Sequence, residues 1–183
     1  MKNLLYKKII LSLMLLSLLL VAFFSVNRKF FIKEYSFQSF RFIDFTLPSV
    51  EGTNVTMSTI TASKPSVLFF WAKYCPVCKP DLNFLTALKH NPNFADIALI
   101  SVATGEALPD MITFVARLEE KANFPILVDA DRSVAMQYDV YKVPETFLID
   151  NQGVIFKKFI GSVSEQREAF LRELSSVRMQ PRQ

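Results

Sequence analysis

The chain's two cysteines stand three residues apart, as Cys75-Pro76-Val77-Cys78, at the end of the apolar run SVLFFWAKY. A buried run that stops at a turn predicts a strand passing into a helix, here from near Pro76 to about Lys89, with Leu82, Leu85 and Leu88 or Phe84 facing inward. Proline suits the first helical turn, where its missing N–H would have had no partner. Cysteine at that position meets unpaired backbone N–H groups and the positive end of the helix dipole, which favour thiolate over thiol. Thiolate is the form that attacks disulfides, and the second sulfur is close enough to resolve the mixed disulfide formed by the first.

Other chemistries compete for the same pair. A four-sulfur zinc site within one chain is excluded by the cysteine count, and the single His90 is not at finger spacing. A purely structural disulfide would close too short a loop to stabilise much. Two thiolates suit Cu(I), with His90 as a conceivable third ligand, although His90 reads as the solvated end of a helix. No cofactor is called for. The net charge of +4 is concentrated at the N-terminal end, and no basic stripe interleaved with aromatics appears in the remainder, so nucleic acid is not an expected partner.

Elements must position the pair, and something must place the domain. Residues 9–26, IILSLMLLSLLLVAFFSV, carry no charge and follow Lys2, Lys7 and Lys8. That length and composition predict a bilayer-spanning anchor, with 1–8 cytoplasmic. A cleaved signal peptide is the rival, but the apolar stretch is long for one and no small-x-small site follows it. Arg28, Lys29 and Lys33 nearly balance the basic residues before the span, so charge does not orient it. The redox pair places the domain outside the cytoplasm, close to a membrane electron supply. Residues 27–39 read as a basic, aromatic juxtamembrane linker, 40–178 as the folded domain and 179–183 as a tail.

Within the domain, Phe40, Phe42 and Phe45 begin a strand by alternation, and FIDFTLP with TNVTM suggests a small hairpin about Glu51-Gly52. Strands follow at 66–71, 97–103 and 125–129. Between the last two lies a helix opened by Pro109, with Ile112, Val115 and Leu118 on one face. A short helix capped by Asp131 holds Val134, Ala135 and Tyr138. ETFLID and VIFKKFI form a hairpin through Asn151-Gln152-Gly153. A last helix, with Ser162 and Glu165 at capping-box spacing, buries Phe170, Leu171, Leu174 and Val177. Alternating strands and helices ending in a hairpin predict a mixed sheet covered by helices.

VLFFWAKYCPVCKPDL, together with VPETFLID at 143–150 followed by Asn-Gln-Gly, resembles the active-site segment and cis-proline hairpin of thioredoxin-fold proteins. The version is that of membrane-anchored TlpA/ResA-type thiol-disulfide oxidoreductases, a group that includes cytochrome c maturation reductases and copper-sensitivity suppressors. The similarity covers about residues 40–178. It implies an α/β thioredoxin fold with an N-terminal β-hairpin and a central β-α insertion, preceded by one transmembrane helix.

By position, the resemblance makes Cys75 the exposed nucleophile and Cys78 the buried resolving thiol. Pro144 becomes the cis-proline beside them, with the Val143 backbone free to pair with a substrate chain. The plainer alternative for Pro144 is a trans proline at a strand start. Trp71 matches the aromatic flanking the active-site loop, or is only core. Glu106 matches an acid near the cysteines, or is a solvated loop residue. Glu145, after Pro144, is expected to border the pair and select partners. Phe69 replaces thioredoxin's buried aspartate, Tyr74 stands for the usual tryptophan, Asn83 replaces the kinking proline of the long helix and Pro80 is a candidate kink in its place, while Asp81 is either a matched acid or a surface charge. The resemblance implies a membrane-tethered reductase of protein disulfides, with a Cu(I)-binding envelope module or a noncatalytic partner-binding thioredoxin-like domain as the alternatives; implied partners are protein disulfides and a thiol-transferring membrane electron donor.

Overall fold

The computed structural model describes residues 2–26 and 39–178, in two units: an N-terminal helix and an α/β domain. The expected linker and tail lie almost wholly outside the described residues. Helix α1 spans Lys2–Val26. Its described side chains are exposed. A span needs about 20 apolar residues. Among the described residues no helix is long and apolar enough to cross a membrane, and the expectation at 9–26 is met by a helix.

The domain is built on a six-stranded sheet. Strand β1 (Phe40–Arg41) is followed by the hairpin β2 (Thr46–Pro48) and β3 (Asn54–Thr56) and a short helix α2 (Met57–Thr61) that the sequence pattern did not suggest. Then come β4 (Ser66–Trp71), α3 (Cys78–His90), β5 (Ala98–Thr104), α4 (Leu108–Ala116), β6 (Ile126–Asp129) and α5 (Ser133–Gln137). The chain ends in β7 (Glu145–Ile149), β8 (Val154–Ile160) and α6 (Arg167–Arg178). Sheet order is β1-β8-β7-β4-β5-β6, and β2 and β3 form a separate antiparallel pair. β5 lies parallel to both β4 and β6, while β7 is antiparallel to β4 and β8. Two strand–helix pairs, β5–α4 and β6–α5, separate α3 from β7, which leaves room for the expected insertion.

All six residues of β4 are buried, as a central strand covered on both faces requires. Alternation then divides the core. Val67, Phe69 and Trp71 join Leu82, Leu85 and Leu88 of α3, Met111 of α4, and Phe170 and Leu174 of α6. Leu68 and Phe70 join Met57, Val134, Tyr138 and Phe147 on the other face. Both cysteines belong to the first set. The β6 edge is closed by the hairpin, where Ser49 bridges Leu127 and the Val50 N–H donates to the Ile126 carbonyl at 3.0 Å.

Several local expectations are corrected. Helix α4 turns Met111 inward and leaves Ile112 exposed, because tertiary contact selects which edge of a broad apolar face is buried. Helix α5 is capped chiefly by the buried Asp129, whose carboxylate accepts from Val134 N–H at 3.2 Å and Ala135 N–H at 2.8 Å. Asp131 takes only the Ser133 N–H, at 3.0 Å. The last helix begins at Arg167, and Ser162 caps the turn before it, accepting the Glu165 N–H at 3.3 Å. Pro80 lies in the first turn of α3, where no helical N–H is lost, so it gives no cause for a kink.

Candidate redox site

β4 delivers the chain to its C-terminal end at Trp71, and a turn follows in which the Cys75 N–H donates to the Ala72 carbonyl at 3.1 Å. Cys78 is the first residue of α3, with Val77 at the N-cap, and its N–H donates to the Cys75 carbonyl at 3.2 Å. The helix therefore starts two residues after the expected Pro76, and Cys75 and Pro76 stand in the turn before it. Cys78 thus faces the unpaired N–H end of the helix, and Cys75 lies one turn ahead of it. The pair is joined as a disulfide with a Cα separation of 5.4 Å. Cys75 is 8% exposed and Cys78 1%, so solvent and a partner meet Cys75 first.

Register brings the second segment alongside. Phe70 of β4 lies opposite Glu145 of β7, so one step further the chain is at Trp71 on one strand and Pro144 on its neighbour. The Val143–Pro144 bond is cis. Val143 packs against the apolar cluster that contains both cysteines. Pro144's carbonyl accepts the Gly161 N–H at 2.9 Å, whereas the Val143 N–H and carbonyl have no hydrogen bond among the described residues. Trp71 is buried in the same cluster, its ring 6.0 Å from that of Phe114, and its Nε1 has no partner among the described residues.

Glu106 is buried, not solvated. Its Oε2 lies 2.9 Å from Nζ of Lys73, two residues before Cys75, and Lys73 also reaches Asp110 at 3.3 Å. The Glu106 carboxylate, seconded by Asp110, holds the Lys73 ammonium above the usual lysine range despite some desolvation. Glu106 Oε1 has no hydrogen bond among the described residues.

Glu145 does not border the cysteines. As the residue opposite Phe70, it shares the sheet face of Phe147 and Tyr138, across the sheet from the pair, and it is buried against Lys158 with Oε2 2.6 Å from Nζ. The one-residue offset that puts Thr146 toward the cysteine side puts Glu145 away from it.

Asp81 also departs from a surface reading. It is fully buried and accepts from Ser162 Oγ at 2.7 Å, Ser164 N–H at 2.9 Å and Val163 N–H at 3.3 Å, tying the start of α3 to the turn before α6. His90 lies twelve residues beyond Cys78 on α3, about 18 Å along the axis at the α-helical rise. It cannot join the cysteines around one metal ion. Among the described residues no cluster of three His, Cys, Asp or Glu suits a metal.

Sequence reasoning missed Lys73 and Lys158. Lysines read as solvated charges, and nothing in their spacing points to the distant carboxylates they meet. Asp81 carried a faint signal, an acid on the buried side of the α3 stripe beside Leu82 and Leu85.

Comparison with known proteins agrees with this geometry. The AhpC/TSA family matches residues 40–158. The thiol-disulfide oxidoreductase ResA of Bacillus subtilis is 28% identical over 122 residues, covering 67% of this chain and 66%, just under two thirds, of that protein. The thiol:disulfide interchange protein DsbE of Allochromatium vinosum is 25% identical over 124 residues, 67% of this chain and 66% of its own length. Among solved structures, a protein described as a thiol:disulfide interchange protein DsbE from Chlorobium tepidum superposes with a TM-score of 0.64. It is 24% identical and covers 75% of this chain and 94% of that one, and it shows the same fold.

Proposed function

The chain belongs to the AhpC/TSA family, and we propose that it is a thiol-disulfide oxidoreductase that reduces protein disulfides. The observation that carries this is the Cys75–Cys78 disulfide at the junction of β4 and α3, with Cys75 the more exposed sulfur and Val143, its backbone unpaired among the described residues, packed against the same apolar cluster. In the reduced state, Cys75 thiolate attacks a partner disulfide, forming a mixed disulfide and releasing one partner thiolate. Cys78 then attacks Cys75, the second partner thiolate leaves, and the Cys75–Cys78 bond forms. Two electrons and two protons pass to the partner, and a dithiol donor at the membrane returns them. The reducing direction follows the ResA-type resemblance, in which cytochrome c maturation or envelope redox stress supplies the substrate.

Val143 supports substrate docking, since an extended chain pairing with its free backbone groups would lie across Cys75. Glu106, through Lys73, sets charge two residues before Cys75. Placement outside the cytoplasm with α1 as a single-pass anchor is part of the same proposal. It is supported by the charge-free stretch at 9–26 and by Ser17, whose hydroxyl donates to the Met14 carbonyl at 2.8 Å and so needs no water.

The test is trapping. Cys78→Ser is expected to accumulate mixed disulfides with envelope proteins in cells, and Cys75→Ser to abolish both these and insulin reduction. Retained insulin reduction by Cys75→Ser would sink the proposal. Protection of the domain from protease added outside cells whose cytoplasmic membrane is intact and whose outer layers have been opened would sink the placement alone.

A further inference from the structure

We propose that Lys158 is a positioning residue for the reaction, a clamp that sets the 139–145 loop against the cysteines. This rests on the disulfide-reductase reading. The Lys158 ammonium donates to the Asp139 carbonyl at 2.9 Å and meets Glu145 Oε2 at 2.6 Å, so one charge on β8 holds both ends of the loop that carries Val143 and Pro144. Its Nζ also lies 5.1 Å from the centroid of Phe147, and the side chain is only 15% exposed. Asp139 adopts a left-handed backbone at φ 51°, which a tether on its carbonyl helps to hold. Arg132 adds a weaker tie to the Val140 carbonyl at 3.5 Å.

The clamp acts across the sheet from the cysteines. Glu145, Phe147 and Lys158 lie with the cluster of Tyr138, while Val143 packs against both clusters, at the hinge between the two faces. A loop held this way offers the Val143 backbone preorganised, and a protein substrate does not bear the cost of ordering it. The cysteines do not touch the clamp. Its loss is therefore felt by substrates that use the loop and not by a disulfide too small to reach it.

The experiment compares two disulfides with the reduced full chain in detergent: insulin, and hydroxyethyl disulfide. Lys158→Met is expected to lower kcat/KM for insulin on the order of tenfold, carried in KM, with hydroxyethyl disulfide unchanged within about twofold. Lys158→Arg is expected to restore most of the insulin rate. Because Lys158→Met leaves Glu145 buried without its partner, the double variant Glu145→Gln/Lys158→Met is measured beside it. It lacks the stranded charge but still lacks the clamp, and the same selective loss is expected. Equal loss for both disulfides, or none for insulin, overturns the clamp. Wild-type protein inert toward insulin overturns the reductase reading and the clamp with it.

Discussion

Replacing Asp81 with alanine tests whether the start of α3 is held by the turn before α6. Three donors converge on this carboxylate: Ser162 Oγ, Val163 N–H and Ser164 N–H. In Asp81→Ala the Ser162 hydroxyl keeps Ser164 Oγ at 2.9 Å as a neighbour, but the two backbone N–H groups lose their acceptor. A buried donor left unsatisfied costs about 1–3 kcal/mol, so the pair places the loss at about 2–4 kcal/mol after partial relaxation. Asparagine retains one acceptor oxygen but turns an NH2 toward donors, and about 1–2 kcal/mol is expected. Urea unfolding of the oxidised protein, followed by the fluorescence of Trp71, the only tryptophan, reads both variants. An unchanged m-value keeps the comparison within one transition. A loss below about 1 kcal/mol for Asp81→Ala would refute the reasoning, since exposed carboxylates behave that way. So would unchanged stability with an altered pH profile of thiol exchange, because Asp81 would then act on Cys78 and not on the turn.

Tyr138 gives a pH dependence. Burial pushes its phenol well above the usual value of about 10, and the nearby Asp44 charge adds to the shift. The unfolded phenol ionises first, so stability is intact below pH 10 and falls as pH rises beyond it. In urea titrations Tyr138→Phe is expected to flatten that alkaline slope, and an equal slope in both proteins would count against the assignment. Gly153 turns the β7–β8 hairpin at φ +80°, and a Cβ there would meet the Phe42 ring at 2.9 Å. Gly153→Ala should therefore lower stability by about 1–3 kcal/mol in thermal or urea unfolding, and a neutral result would show that the ring yields freely. Leu85→Ala empties a fully buried site on the α3 stripe, and a loss of about 2–5 kcal/mol is expected from the midpoint shift in urea.

Much of the site was legible before any coordinates. Cys75-Pro76-Val77-Cys78 after a wholly apolar strand specifies a local conformation, because strand burial and helix initiation depend on neighbouring residues. The same holds for the Asn151-Gln152-Gly153 turn and for β5 and β6, whose continuous apolar runs state that both faces are covered. Helix limits were less legible. α3 begins at Cys78 and α6 at Arg167 because turns preceding a helix use the same capping residues as its first turn.

Chain order alone established that this protein carries one closely spaced cysteine pair on an alternating α/β scaffold, preceded by an apolar N-terminal helix. Only the folded sheet decided which acids matter to it. Periodicity says that Glu145 and Thr146 point to opposite faces, but the register of β7 against β4 says which of them lies on the cysteine side of the sheet. Glu106 and Lys73 are 33 residues apart, Asp81 and Ser162 are 81 apart, and Glu145 and Lys158 are joined across a hairpin. A charged side chain's meaning depends on the burial and partner it finds at long range, and local spacing holds no record of either.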